Sequence, residues 1–171
     1  EWVALPAENT RREFWGQPVG VILHGPRRGI PRLVHAEFLS TLSFVRNGAI
    51  DREGTRLGWN ATIGENEIAI HLHPTQWALN AREHSKDYLA VEFAQPTIDS
   101  PVTDGMVNTF CWWFATQVLP VWPGQPLWFP SHADLPSGRR DGKTDVFPVA
   151  DPRVNELIER IHVRLRDRYG L

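Results

Sequence analysis

A single cysteine, almost no net charge and the absence of any long apolar run set the first bounds on this sequence of 171 residues. With Cys111 alone, an intrachain disulfide is excluded, and any metal site must draw on histidine and carboxylate ligands. Lysine and arginine number 18 against 20 aspartates and glutamates, a formal charge of -2. That balance argues against a nucleic-acid binder relying on general attraction to phosphate. No apolar stretch approaches the roughly 18 residues of a membrane span. The sequence shows no basic-then-apolar leader; it begins at Glu1 rather than Met, so a removed segment and the compartment both stay open.

What the chain does have is length for one domain spanning residues 1–171 with a substantial core, undivided by any repeat or linker. Eight tryptophans and fourteen prolines concentrate in segments such as Pro120-Val121-Trp122-Pro123-Gly124-Gln125-Pro126-Leu127-Trp128-Phe129-Pro130. Exposed indoles near a cleft suit carbohydrate or peptide stacking; loop packing accounts for the others. Residues 1–17, without clear period, read as an arm wrapped on the surface. Residues 18–24 read as a central strand ending at His24. Gly25–Pro31 is turn-rich, Pro31 suits a helix start, and Val34, Phe38, Leu42 and Val45 give residues 32–46 a helical stripe stopped by Asn47-Gly48.

Further strands are expected over Leu57–Ile63 and, after the turn Gly64-Glu65-Asn66, over Glu67–Leu72, with Ile68, Ile70 and Leu72 on one face and Ala69, His71 and His73 on the other. Tyr88–Ala94 reads as a second apolar strand, interrupted by Glu92. A carboxylate in such a strand is costly unless it is paired or has work to do. Thr103 or Asp104 caps a helix striped by Val107, Phe110, Cys111, Phe114 and Val118 and ended by Pro120. Cys111 lies within that stripe as a small core hydrophobe. Asp151-Pro152 opens a terminal helix carrying Val154, Leu157, Ile158, Ile161 and Leu165, with Gly170 near its end. Strands interleaved with helices make the fold class α/β.

The chemistry concentrates around Ser131-His132-Ala133-Asp134 and Gly142-Lys143-Thr144-Asp145. His132 and Asp145 bracket a Gly/Arg-rich loop, with Lys143 two residues before the aspartate. Zinc takes nitrogen and sulfur ligands with an occasional carboxylate, and a catalytic site uses three protein ligands to leave a fourth position open. His24 is the best third donor, because a buried strand delivers its terminal side chain to the sheet edge with little freedom. A lone histidine ending a strand is more often a hydrogen-bonded structural residue. His71 and His73 form a rival pair, for which local sequence supplies no third ligand. Ser137–Thr144 nearly spells a phosphate-binding loop, but serine replaces the first glycine and no helix follows. Asn60-Ala61-Thr62 matches a glycosylation sequon, a short pattern of little weight.

Taken in order, Val21-Ile22-Leu23-His24, Tyr88-Leu89-Ala90-Val91-Glu92-Phe93, His132 and Lys143-Thr144-Asp145 resemble the type 2 zinc-dependent N-acetylmuramoyl-L-alanine amidases, the family that includes phage lysozyme-type amidases and peptidoglycan recognition proteins. The resemblance runs from about residue 18 to the last helix. It implies a central mixed β-sheet flanked by helices, with Zn2+ at the sheet edge held by His24, His132 and Asp145. It further implies Glu92 as general base, Lys143 as the cation near the scissile carbonyl, and Trp59, Asn60 and Trp77 at substrate-binding positions. The implied partner is peptidoglycan or a muropeptide, with no nucleic acid and no membrane span. The implied setting is the bacterial cell wall, whether the enzyme is an endolysin released at phage lysis or bacterial. Asp145-Val146-Phe147-Pro148 departs from the common Asp-Pro-Gly-Pro, and Trp77-Ala78-Leu79 from the common Trp-His-Ala. A non-catalytic wall-binding module of the same fold is the alternative function.

Overall fold

The computed structural model describes residues 2–6, 9, 12–25, 33–51 and 53–171. Its centre is a four-stranded sheet in the order β2-β6-β3-β4, with β2 at Val21–His24, β6 at Leu89–Phe93, β3 at Ala61–Ile63 and β4 at Ile68–Ile70. β2, β6 and β3 are mutually parallel and β4 is antiparallel to β3, so the sheet is mixed, as expected. The apolar runs explain the parallel core: such strands are covered on both faces, and Val21, Ile22, Leu23, Leu89 and Val91 are all fully buried. A separate two-stranded sheet pairs β1 (Arg12–Glu13) with β5 (Gln76–Trp77).

Helix α1 (Val34–Arg46) packs on β3, and α2 (Asp104–Trp113) packs on both β3 and α4 (Pro152–Tyr169). The Thr103 hydroxyl caps α2 by accepting from the Met106 amide at 3.2 Å, and the last turns continue as a π-helix over Phe114–Val118. α4 buries Val154, Leu157, Ile161 and Leu165, the spacing the sequence shows. It starts at an Asp151 cap with Pro152 in its first turn and ends at Gly170 in the left-handed region, which glycine enters at no steric cost. Phe110 anchors the core between these layers, with Phe93, Phe114 and Phe129 at ring-centroid distances of 5.9, 6.2 and 5.4 Å. Cys111 is buried with them, and burial pushes its thiol up to about 12.

Several elements differ from the sequence reading. The helix expected over 32–46 is observed from Val34; Arg32 and Pro26–Pro31 lie outside the described residues. The strand expected over Leu57–Ile63 is reduced to its last three residues. The chain before it is drawn aside, with the Leu57 amide donating to Ala49 and the Gly58 amide to Leu79. Around β4 both faces are covered: Ala69, His71 and Leu72 are buried, and Ile68 and Ile70 are half-buried against the core. The N-terminal segment runs along this edge, its Val3 amide donating to the Ile70 carbonyl at 2.9 Å. Expected as a surface arm, that segment places Val3 and Leu5 in the core.

Candidate metal centre

Strand register sets the first half of the site. His24 on β2 stands level with Glu92 on β6, and Glu92 stands level with Thr62 on β3. Residues at equal register in a sheet leave by the same face, so a row of three polar side chains crosses the carboxyl ends of the parallel strands, where open α/β sheets bind ligands. On the free side of β2 the chain runs alongside again. The amides of Val21 and Leu23 donate to the carbonyls of Trp128 and Pro130, each at 2.9 Å, and Leu23 bridges Ser131. The next residue, His132, therefore lies beside His24, with ring centroids 4.5 Å apart.

Asp145 is brought in by backbone fastening. The Ser131 hydroxyl donates to the Asp145 carbonyl at 2.7 Å and accepts from the Val146 amide at 3.0 Å. The Ala133 amide donates to the same carbonyl at 2.9 Å. Between them the chain makes a 3-10 turn at His132–Asp134 and a short helix α3 (Pro136–Arg140). Gly138 packs so tightly on the turn that a Cβ there would lie 1.9 Å from the His132 carbonyl oxygen.

The three side chains converge. Nδ1 of His24 lies 3.0 Å and Nδ1 of His132 lies 3.2 Å from Oδ2 of Asp145. Among the described residues this is the one group of three or more potential ligands whose donor atoms all fall within 4.8 Å of one another. Both histidines are 4% exposed. Desolvation, and then the neighbouring His132, lower the pKa of His24 against the pull of Asp145. For Asp145, burial raises the carboxyl, but the hydrogen bonds and charges of His132 and His24 outweigh it and hold the group well below the ordinary carboxylate range. A neutral imidazole and an ionised carboxylate are the protonation states metal ligation requires. Two imidazole nitrogens and one carboxylate oxygen aimed at a common point are also a donor set that fits zinc with a position to spare. The residues present therefore fit the ion that the sequence suggested.

Around this centre lies an open cleft of about 540 Å³, lined also by Glu92, Lys143, Trp59 and Phe44. Glu92 and Lys143 thus share one cavity with the three candidate ligands. Trp59 is 3% exposed there, its indole N–H donating to the Thr62 hydroxyl at 2.9 Å. The other two residues expected to touch substrate do not line this cleft. Asn60 is buried and serves as a strand tie: its Oδ1 accepts from the Ala90 amide at 3.0 Å and its Nδ2 donates to the Gln76 carbonyl at 2.9 Å. The same burial removes it as a glycosylation acceptor. Trp77 lies on β5 beneath the Arg12 guanidinium and borders a separate depression with Trp15 and Lys86.

The rival pair does not converge either. His71 is buried, with Nδ1 donating to the Val3 carbonyl at 2.5 Å and Nε2 accepting from the Thr62 hydroxyl at 2.8 Å. His73 is exposed and bonds Thr75. Desolvation lowers the His71 pKa to about 4. Trp59, Thr62, His71 and Val3 thus form one relay in which each donor has an acceptor, and it fixes the cleft wall.

No protein-family model and no curated protein matches the sequence. Solved structures do match its fold. A selenomethionine AmpD derivative superposes with a TM-score of 0.58 at 14% identity, covering 92% of this chain and 93% of that one. A mutant endolysin from Bacillus subtilis gives 0.59 at 15% identity over 94% and 96% of the two chains. Wild-type PGRP-LB from Drosophila gives 0.58 at 13% identity over 88% and 98%. The fold is the one the sequence resemblance implied, that of the type 2 amidases and peptidoglycan recognition proteins.

Proposed function

We propose that this chain, which has the type 2 amidase fold, is a zinc-dependent hydrolase that cleaves the amide between N-acetylmuramic acid and L-alanine in peptidoglycan or a muropeptide. The observation that carries the reading is the convergence of His24, His132 and Asp145 on one point at the end of the strands, beside a carboxylate in an open cleft. These three residues would hold a zinc ion, which would supply Lewis acidity and lower the pKa of water toward neutrality. Glu92, level with His24 across the β2–β6 pair, accepts the proton of the attacking water and returns it to the leaving amine. Lys143, whose ammonium makes no ion pair or hydrogen bond among the described residues, faces the charge that develops on the carbonyl oxygen. Losing such a contact costs on the order of a hundredfold in rate.

The test is release of stem peptide from purified peptidoglycan by the wild type and Glu92→Gln, with zinc content measured on both. The expected result is a loss of about a hundredfold or more in rate with zinc retained. Equal activity of the two proteins removes Glu92 from the mechanism. Tight wall binding with zinc present and no hydrolysis by the wild type makes the protein a binding module instead.

A further inference from the structure

Away from the metal centre lies a separate depression of about 420 Å³, walled by Arg12, Glu13, Trp15, Trp77, Lys86 and Asp87. That size falls within the range of small-ligand sites. Its place follows from the strands. Lys86 and Asp87 shortly precede β6, and the Val19 amide, two residues before β2, donates to the Asp87 carbonyl at 2.8 Å. The depression therefore adjoins the starts of the two strands whose other ends carry His24 and Glu92.

Its two indoles differ in what covers them. Trp77 is the cross-strand partner of Arg12, and the guanidinium lies over its ring, 5.7 Å from the centroid. This cation–π contact occupies one face of Trp77 and steadies both side chains. Trp15, two residues beyond β1, is 104% exposed, and no ring, cation or hydrogen-bond partner meets it among the described residues. Single exposed apolar side chains are ordinary on a surface. Trp15 differs in standing at a depression on which four charged groups converge.

Those groups are largely uncommitted. The Lys86 ammonium and the Asp87 carboxylate make no ion pair or hydrogen bond among the described residues. Glu13 is oriented by the Gln76 side-chain amide, which donates to Oε1 at 2.8 Å. Two cations and two anions leave the depression without net charge. A phosphate or sulfate group would meet Glu13 and Asp87, and an ammonium would meet Arg12 and Lys86, so neither is favoured. Hydroxyl groups suit both signs, donating to the carboxylates and accepting from the cations, and a charged partner strengthens each such bond. A pyranose ring adds an apolar C–H face that lies flat on an exposed indole.

We propose that this depression is a second, non-catalytic binding site for a neutral polysaccharide, with Trp15 as the stacking platform and Glu13, Lys86 and Asp87 as hydroxyl partners. A polymer held at this end of the sheet keeps its other segments at raised local concentration around the cleft. The site stands apart from the amidase reading, because none of its six residues lines that cleft.

The probe is tetra-N-acetylchitotetraose, a neutral oligosaccharide with neither lactyl group nor peptide, titrated calorimetrically into the wild type, Trp15→Ala, Asp87→Asn and Glu92→Gln. The wild type should bind saturably, with a dissociation constant unmoved by added salt, since the ligand carries no charge to screen. Trp15→Ala, which removes only an exposed side chain, should weaken binding at least about tenfold, and Asp87→Asn about threefold or more. Glu92→Gln should bind as the wild type does. Hydrolysis of a small soluble muramyl peptide should be equal in the wild type and Trp15→Ala. No binding by the wild type, or equal affinity in Trp15→Ala, overturns the inference. So does tighter, salt-dependent binding of dextran sulfate through Trp15, which would make the site one for polyanions. Saccharide binding lost in Trp15→Ala, with no hydrolysis by any of the proteins, overturns the amidase reading and keeps this site; hydrolysis without saccharide binding does the reverse.

Discussion

Replacing Ser131 by alanine tests whether the metal centre is held by backbone fastening. The side chain is fully buried and makes two hydrogen bonds, one to the Asp145 carbonyl and one from the Val146 amide. Asp145 keeps a second donor in the Ala133 amide, so its carbonyl stays satisfied. Val146 is fully buried, and among the described residues its amide has no donor target other than Ser131. Stranding a buried amide costs about 1–3 kcal/mol. For a chain of this length that is a fall of about 4–8 °C in Tm if the loss is about 2 kcal/mol. Asp145 also loses the contact that orients it, and losses of this kind weaken metal affinity about 10- to 100-fold. A tenfold weaker site reduces the stabilisation conferred by saturating zinc by about 1.4 kcal/mol. Calorimetric melting with and without zinc reads the two effects separately, and a chelator competition titration gives the affinity directly. A variant with wild-type Tm and wild-type zinc affinity would refute the reasoning.

Four further outcomes are expected. Gly138→Ala forces its methyl onto the His132 carbonyl oxygen and should lower zinc affinity at least about tenfold. Gly142→Ala, with a positive φ but open space around it, should cost only about 1 kcal/mol of stability and leave affinity unchanged in the same titration. His71 has its folded pKa lowered from 6.5 to about 4. The unfolded chain therefore binds the extra proton between those values, and the stability from keeping this ring neutral is complete above pH 6.5 and lost as pH falls toward 4, by about 3 kcal/mol. Urea midpoints across that window should slope less in His71→Gln than in the wild type; equal slopes assign the acid sensitivity elsewhere. Wall hydrolysis should fall in Trp59→Ala and stay near wild type in Trp77→Ala, and the reverse order would return Trp77 to the cleft.

The parts of the site legible in the sequence are those whose signal is local. A histidine ending an apolar run and a carboxylate inside another are each anomalous where they stand, and parallel pairing brings the two anomalies level. The caps of α4 were legible for the same reason, since Asp151, Pro152 and Gly170 act within a turn of their own positions. Ser131 and Gly138 were not, because each works through a backbone group that tertiary folding brings to it. The burial of His71 depends on what covers the β4 edge, and Val3 reaches it from 67 residues before Ile70 in the chain. Asp51, Glu53 and Arg82 look like ordinary solvated polar positions until the fold sets them around one cavity beside His132 and Lys143. Trp77, placed at a substrate position by the resemblance, lies on β5 and borders a separate depression with Trp15 and Lys86.

The centre is thus assembled from two halves of unequal rigidity. His24 and Glu92 are fixed by a sheet whose flanking residues are fully buried, so their placement is as stable as the core itself. His132 and Asp145 belong to a loop whose outer end is tied to the 3-10 turn Arg82–Lys86 by the exposed ion pairs Arg82–Asp141 and Arg140–Glu83. Pairs of that kind contribute roughly 0–1 kcal/mol each, too little to hold two ligands in register against the entropy of a loop. The buried hydroxyl of Ser131, bridging both sides of the loop's base, is what closes it where closure matters, within one residue of each ligand. The loop's tip can then vary in sequence and charge without moving the ligands. An arm of the cleft lined by Arg82, Asp141 and Lys143 can therefore lie directly beside a candidate metal centre whose three donors keep a fixed geometry.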